Sequence, residues 1–172
     1  LPEGWSGLSS YVMPADNDIE NVTALIASDL IFMQTMDGIL YPEYSINTIG
    51  TWDAHSAYKI KMGDASVLEV VGDMESNHTF ELSANWNLVP VICNAAVDCE
   101  SLFSGTDLQL VKEVAGMGVM WPEYGINTLG DMIPGKAYFA RMAAPGAVSF
   151  PAYAKTAGAP VIPNQHIPEN PW

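Results

Sequence analysis

Basic side chains are scarce in this chain. Six lysines and arginines stand against 20 acidic residues among 172, a net charge of −14. An acidic surface repels phosphate backbones and anionic headgroups, so neither nucleic acid nor a charged membrane surface is expected as a partner. The imbalance is uneven: residues 1–81 hold 13 acids and 2 bases, a net of −11, and residues 82–172 hold 7 and 4, a net of −3. No apolar run reaches the roughly 18 to 20 residues that span a bilayer, so membrane insertion is not expected. No basic segment followed by an apolar one opens the sequence, the pattern of a mature product or an excised domain.

Histidine and cysteine are also few. His55, His78 and His166 lie in different sequence settings, and no Gly-x-Ser-x-Gly elbow, phosphate loop or His-Glu-x-x-His occurs. Catalysis by an activated nucleophile, and a bound cofactor, are therefore not expected. Cys93 and Cys99, with no second cysteine pair and no nearby histidine, cannot form a zinc ribbon. They read either as a local disulfide clipping a strand end to a helix start in an oxidising compartment, or as two buried thiols.

What the chain does have is a repeat. The segment from Tyr41 to Gly50, Tyr-Pro-Glu-Tyr-Ser-Ile-Asn-Thr-Ile-Gly, returns from Trp121 to Gly130 as Trp-Pro-Glu-Tyr-Gly-Ile-Asn-Thr-Leu-Gly. From Pro42 to Gly50, seven of the nine residues are identical in the later segment. A long period means two copies of one folding unit. The match extends to Ala57-Tyr58 with Ala137-Tyr138. It also includes Asp29-Leu30 with Asp107-Leu108, if two residues are inserted around Gly116-Met117-Gly118, and Leu1 to Trp5 with Leu82 to Trp86. Three segments follow: residues 1–81 as repeat 1, residues 82–151 as repeat 2, and residues 152–172 as a proline-rich linker or docking tail ending in Trp172.

Alternating apolar residues and turn signals predict mainly β structure with one short helix per repeat. The expected order is an opening strand (residues 5–12 or 86–92), a helix, a strand (30–35 or 108–114), the Pro-Glu-Tyr loop, and a closing strand through Tyr58 or Tyr138. Asp16 or Asp18 is the expected cap of the first helix, and residues 97–103 form the second. Ile19-Glu20 is matched to Val97-Asp98. Residues 66–71 and 79–82 are expected to form a further hairpin, with residues 147–150 as the counterpart of its first strand. The two repeats are expected to pack with pseudo-twofold symmetry as a small barrel or sandwich.

Trp86-Asn87-Leu88-Val89 and Pro134-Gly135-Lys136-Ala137-Tyr138 carry a resemblance. They are similar to a tandem repeat that opens Gly-Trp-Asn-Leu and closes Pro-Gly-x-(Gly/Ala)-Tyr, found in secreted and surface multidomain proteins of Bacteroidetes-type bacteria. Copy one departs from it at Trp5-Ser6-Gly7-Leu8 and at Ala54-His55-Ser56. The resemblance implies an extracellular or cell-surface location. It also implies a non-catalytic module in adhesion, assembly or ligand binding, with other domains of the same polypeptide or neighbouring subunits as partners.

The candidate ligand-binding residues are Tyr41, Glu43, Tyr44 and Asn47 with Trp121, Glu123, Tyr124 and Asn127, which set aromatic faces beside polar groups on a loop. Such a loop suits a glycan or a partner's side chains, and the alternatives are a carbohydrate-binding module or a self-assembling subunit. The competing reading is structural, with the rings covering the core and the asparagines tying the loop to its own backbone. Trp52, replaced by Met132 in copy two, is added as a copy-specific aromatic. Glu43 and Glu123 are the carboxylates a glycoside-acting enzyme would use, the least favoured reading. Asp16-Asn17-Asp18 alternates oxygen ligands as calcium sites do, but lacks the glycine turn and distal glutamate; a helix cap is the simpler account.

Overall fold

The computed structural model describes residues 1–153, so all of the expected tail except Ala152 and Tyr153 lies outside the described residues. The described chain is mainly β. The first half contains β1 (Gly4–Leu8), β2 (Val12–Met13), α1 (Ile19–Val22), β3 (Leu30–Gln34), β4 (Ile39–Tyr41), β5 (Ile46–Asn47), β6 (Tyr58–Met62) and β7 (Asp73–Met74). There follow β8 (Thr79–Leu82), β9 (Asn85–Val89), β10 (Val97–Asp98), α2 (Cys99–Leu102), β11 (Leu108–Glu113) and β12 (Val119–Trp121). The last are β13 (Ile126–Asn127), β14 (Asp131–Met132), β15 (Tyr138–Met142) and β16 (Gly146–Ser149). No helix among the described residues is long and apolar enough to cross a membrane.

Two five-stranded antiparallel sheets dominate, in the orders β1-β6-β3-β4-β5 and β9-β15-β11-β12-β13. Corresponding strands occupy corresponding places, and the registers agree: Leu8 pairs with Tyr58 as Val89 pairs with Tyr138. Both β3 and β11 carry a register shift, between Leu30 and Phe32 and between Leu108 and Leu110. The two inserted residues fall where the sequence comparison put them, in the β11–β12 turn. Between the last paired residues, Lys112 and Val119, the turn spans residues 113–118, whereas residues 35–38 suffice between the equivalent pair Gln34 and Ile39.

Alternation drives each central strand. Tyr58, Ile60 and Met62 point into one core while Lys59 and Lys61 point out, and Tyr138, Ala140 and Met142 repeat the pattern. The first core gathers Ile19, Ile26, Met33, Trp52, Tyr58 and Ile60; the second gathers Val89, Ile92, Cys99, Val111, Met132 and Tyr138. The two halves meet through Ala57, Leu88 and Ala137 and through Ser9. The Ser9 hydroxyl donates to the Lys136 carbonyl and accepts from the Val91 N–H, and the Ser9 N–H donates to the Gly135 carbonyl.

Several expectations are corrected. The opening strands are shorter, because Ser9 leaves β1 to bond the other half and Pro90 ends β9. The helices are single turns of four residues. They also align differently. Asp18 caps α1, accepting from the Glu20 and Asn21 N–H groups, and Asp98 caps α2, accepting from Ser101. Cys99 therefore corresponds to Ile19, not Val97, and both side chains are fully buried. The hairpin of residues 66–71 with 79–82 does not form. Instead β8 pairs with β16, so Thr79 to Leu82, the end of the first copy in sequence, is laid against the second copy's last strand.

A candidate aromatic face on the repeated sheets

The repeated loop is a turn of 3-10 helix in both copies, Pro42–Tyr44 and Pro122–Tyr124, with proline at its start where the missing N–H is harmless. Ser45 and Gly125 end it in the left-handed region, at φ 53° and 62°. That requirement accounts for the serine-to-glycine difference: glycine has no Cβ penalty there, and the copy with serine bears the strain. The asparagines then lock the following turn. Asn47 Oδ1 accepts from the Gly50 N–H and Asn127 Oδ1 from the Gly130 N–H, at 2.9 and 3.0 Å. Asn47 Nδ2 also donates to Glu20 Oε1 at 3.0 Å. Asn47 and Asn127 thus hold the loop to its own backbone, which leaves the rings as the candidate binding groups.

The rings are outside. Tyr44 and Tyr124 are 61% and 62% exposed, Trp121 39%, and Tyr41 is half-buried. Tyr41 packs edge-on to Tyr44 at 4.6 Å between centroids, and Trp121 packs the same way on Tyr124 at 4.6 Å. Partial desolvation, then the neighbouring Tyr44 and Glu43, raise the Tyr41 phenol above its ordinary value. Glu43 and Glu123 sit on the exposed side of each turn.

The structure extends this pair into a strip that the loop motif does not announce. Tyr41 meets Phe32 of β3 at 5.5 Å, and Phe32 meets Trp5 of β1 at 6.1 Å. Lys59 places its ammonium 4.2 Å over the Trp5 ring, with Lys61 at 5.7 Å. Trp5, Phe32, Tyr41 and Tyr44 therefore run across the outer side of the first sheet, with both of that half's lysines among them. The second sheet is similar but broken: Trp86 meets Phe139 at 6.2 Å with Lys112 over both rings, apart from the Trp121–Tyr124 pair. The signal was the polar alternation of the central strand, Lys59-Ile60-Lys61, which gives the outer face; only strand pairing shows which aromatics share it.

Beneath each loop lies a cleft against the helix. In the second copy it encloses about 390 Å³ between Phe103, Met120, Pro122 and Asn127. In the first it encloses about 280 Å³ between Thr23, Leu40, Pro42 and Ile46. The Asn47–Glu20 bond crosses from loop to helix beside the smaller one.

Other candidates fall away from this face. Trp52 is fully buried, stacked on Tyr58 at 4.7 Å, with its indole donating to the Val12 carbonyl; it is a core residue and no ligand can reach it. Cys93 and Cys99 are free buried thiols and not a disulfide. Cys93 donates to the Ala95 carbonyl, and burial pushes the Cys99 thiol up to about 12. Asp16 spends its carboxylate on the Asp18 N–H and on Asn21 Nδ2, which makes it part of the helix cap. The repeated Tyr58 and Tyr138 are structural: their hydroxyls accept from the Asp53 and Ile133 N–H groups.

Tyr58 and Cys99 make an alkaline limit to stability. Burial pushes the Tyr58 phenol up to about 12, so the fold keeps the neutral form while the unfolded chain ionises near pH 10. Stability is intact below the unfolded values and is lost as pH rises through the window from about 9–10 to about 12. Each such group contributes roughly 1.4 kcal/mol per pH unit within its own window. Urea denaturation at pH 8, 10 and 11.5 should show this decline, and Tyr58→Phe should make it shallower. A flat profile refutes it.

Comparison of the chain with family models, with characterised proteins and with solved structures finds no match.

Proposed function

We propose that this chain is a non-catalytic, extracellular or cell-surface module of a larger bacterial protein, binding its partner through the aromatic faces of its two sheets. The observation that carries this reading is the continuous strip Trp5, Phe32, Tyr41 and Tyr44, partly exposed and set among Lys59 and Lys61. Monomeric proteins seldom leave connected aromatics on a sheet face unless something docks there. Rigid rings lose little entropy on binding and bury large area. The resemblance of the Trp86–Val89 and Pro134–Tyr138 segments to the bacterial surface repeat supports the location. The equivalent strand orders of the two sheets, and the clustering of Ala57 with Leu88 and Ala137, support a pseudo-twofold arrangement of two repeats.

Exposed Tyr44 and Tyr124 beside exposed Glu43 and Glu123 favour a glycan among the partners, which is the second reading. Retention on a glycan array, or capture of surface protein, should fall at least about tenfold in Tyr44→Ala/Tyr124→Ala, since truncated anchor rings cost about 2 kcal/mol or more. The thermal midpoint should barely move, because both rings are exposed. Undiminished binding by the double variant refutes the proposal, and a hydrolytic activity abolished by Glu43→Gln or Glu123→Gln replaces it with an enzyme.

A further inference from the structure

The two clefts beneath the repeated loops are built from the same positions, and one of them is shut. Glu20, Leu40, Pro42 and Ile46 border the first; Glu100, Met120, Pro122 and Ile126, each 80 positions later, border the second. In the first copy Asn47 Nδ2 crosses from loop to helix and donates to Glu20 Oε1 at 3.0 Å. The counterparts Asn127 and Glu100 both border the second cleft, yet they do not meet. Among the described residues, no hydrogen bond engages the Glu100 carboxylate or Asn127 Nδ2. Exposure agrees, for Asn47 is half-buried and Asn127 is exposed. The Asn127 oxygen stays committed to the Gly130 N–H at 3.0 Å, so the end of the amide left over is a donor.

Two further differences widen the second cleft. Gly125 stands where Ser45 borders the first, which removes a side chain from the rim. The link from helix to strand is also shorter, with residues 104–107 in place of 24–29. The enclosed volume rises from about 280 to about 390 Å³, which brings it into the range of small-molecule sites. Phe103 and Met120, each 3% exposed, give the second cleft a fixed apolar floor. In the first copy the place of Phe103 is held by Thr23, whose hydroxyl is turned away to the Ile19 carbonyl.

The free groups select the ligand. The Glu100 carboxylate only accepts, Asn127 Nδ2 only donates, and the Ser104 hydroxyl beside them does either. An anion is repelled by Glu100. An ammonium satisfies Glu100 but offers nothing for the Asn127 donor. Two neighbouring hydroxyls satisfy both, donating to the carboxylate and accepting from the amide, while the C–H face of a ring covers the apolar floor. We propose that the cleft of the second copy binds one neutral sugar residue, held by Glu100 and Asn127, and that the first copy's cleft is occluded by its own Asn47–Glu20 bond. The inference rests on the glycan reading for its ligand class, but the site is separate from the exposed rings of Tyr44 and Tyr124.

The test is an NMR titration of the whole chain with the methyl glycosides of glucose, galactose and mannose, which between them present neighbouring hydroxyls in trans and cis arrangements. At least one should bind in the millimolar range, shifting the amides of residues 103–106 and 125–127 and leaving residues 23–26 and 45–47 in place. Asn127→Asp keeps the acceptor for Gly130 and removes only the free donor. It should weaken binding at least about tenfold, as should Glu100→Ala. Shifts confined to the rings of Tyr41 and Tyr44 overturn the cleft and favour the aromatic face, whereas shifts confined to the cleft do the reverse. The proposal is also overturned if none of the three glycosides moves the second cleft, if both clefts respond alike, or if both variants bind as the wild type does. Ethylammonium shifting the same amides where the glycosides do not would make the cleft a cation site instead.

Discussion

Trp52→Ala should cost about 3–5 kcal/mol of folding stability, the range for truncating a fully buried tryptophan. The side chain is completely enclosed, stacks on Tyr58 and sits in the centre of the first core with Ile19, Ile26 and Ile60. Its removal opens a cavity, strips one face of Tyr58 and leaves the Val12 carbonyl without the indole donor. Urea denaturation followed by tryptophan fluorescence, using the four remaining tryptophans, measures the loss. Trp52→Met copies the second core, where Met132 fills the corresponding place, and should lose less than the alanine variant. A loss below about 1 kcal/mol for Trp52→Ala would mean that the ring is not in the core. The aromatic would then return as a ligand contact.

Gly7→Leu should be nearly as damaging, by a different route. A Cβ at Gly7 would lie 2.6 Å from the Ala137 carbonyl oxygen and 3.0 Å from its nitrogen, so main chain must move to admit any side chain. The expected cost is about 3 kcal/mol, at the top of the usual range for overpacking. The damage should be local to the junction: amides of residues 135–137 and Ser9 should exchange faster while the centres of both sheets stay protected. Gly146→Ala is the control, since open space surrounds that position and stability should change by less than about 0.5 kcal/mol. If Gly7→Leu folds with wild-type stability, the two halves do not meet along β1.

The sequence comparison located the turn insertion near Gly116 and offered the asparagine locks, because each is local chemistry between residues a few positions apart; the left-handed position shared by Ser45 and Gly125 came only with the structure. It misplaced α2 by two residues. Copy two shortens the link from helix to strand, where residues 104–107 replace residues 24–29, so an offset of 78 on one side becomes 80 on the other. Cys93 and Cys99 attracted attention as cysteines, yet Cys99 occupies the core position of Ile19 and behaves as a small apolar filler. Trp52 looked functional because it differs between copies. The difference reflects how two cores of similar shape are filled, a choice invisible along a single chain.

The duplicated segment and the period-two alternation of residues 58–62 and 138–142 determined, without coordinates, that the chain is mainly β and built from two related units. Periodicity reports which side chains share a face of one strand, but strand pairing is a contact between residues distant in sequence, and nothing local encodes the partner. So only the tertiary structure could decide that Trp5 and Phe32 join the loop tyrosines in one strip. It also decided that β8, ending the first copy in sequence, completes the second in space. In the first copy the corresponding segment keeps Leu68 and Val70 half-buried on the core, beside a groove.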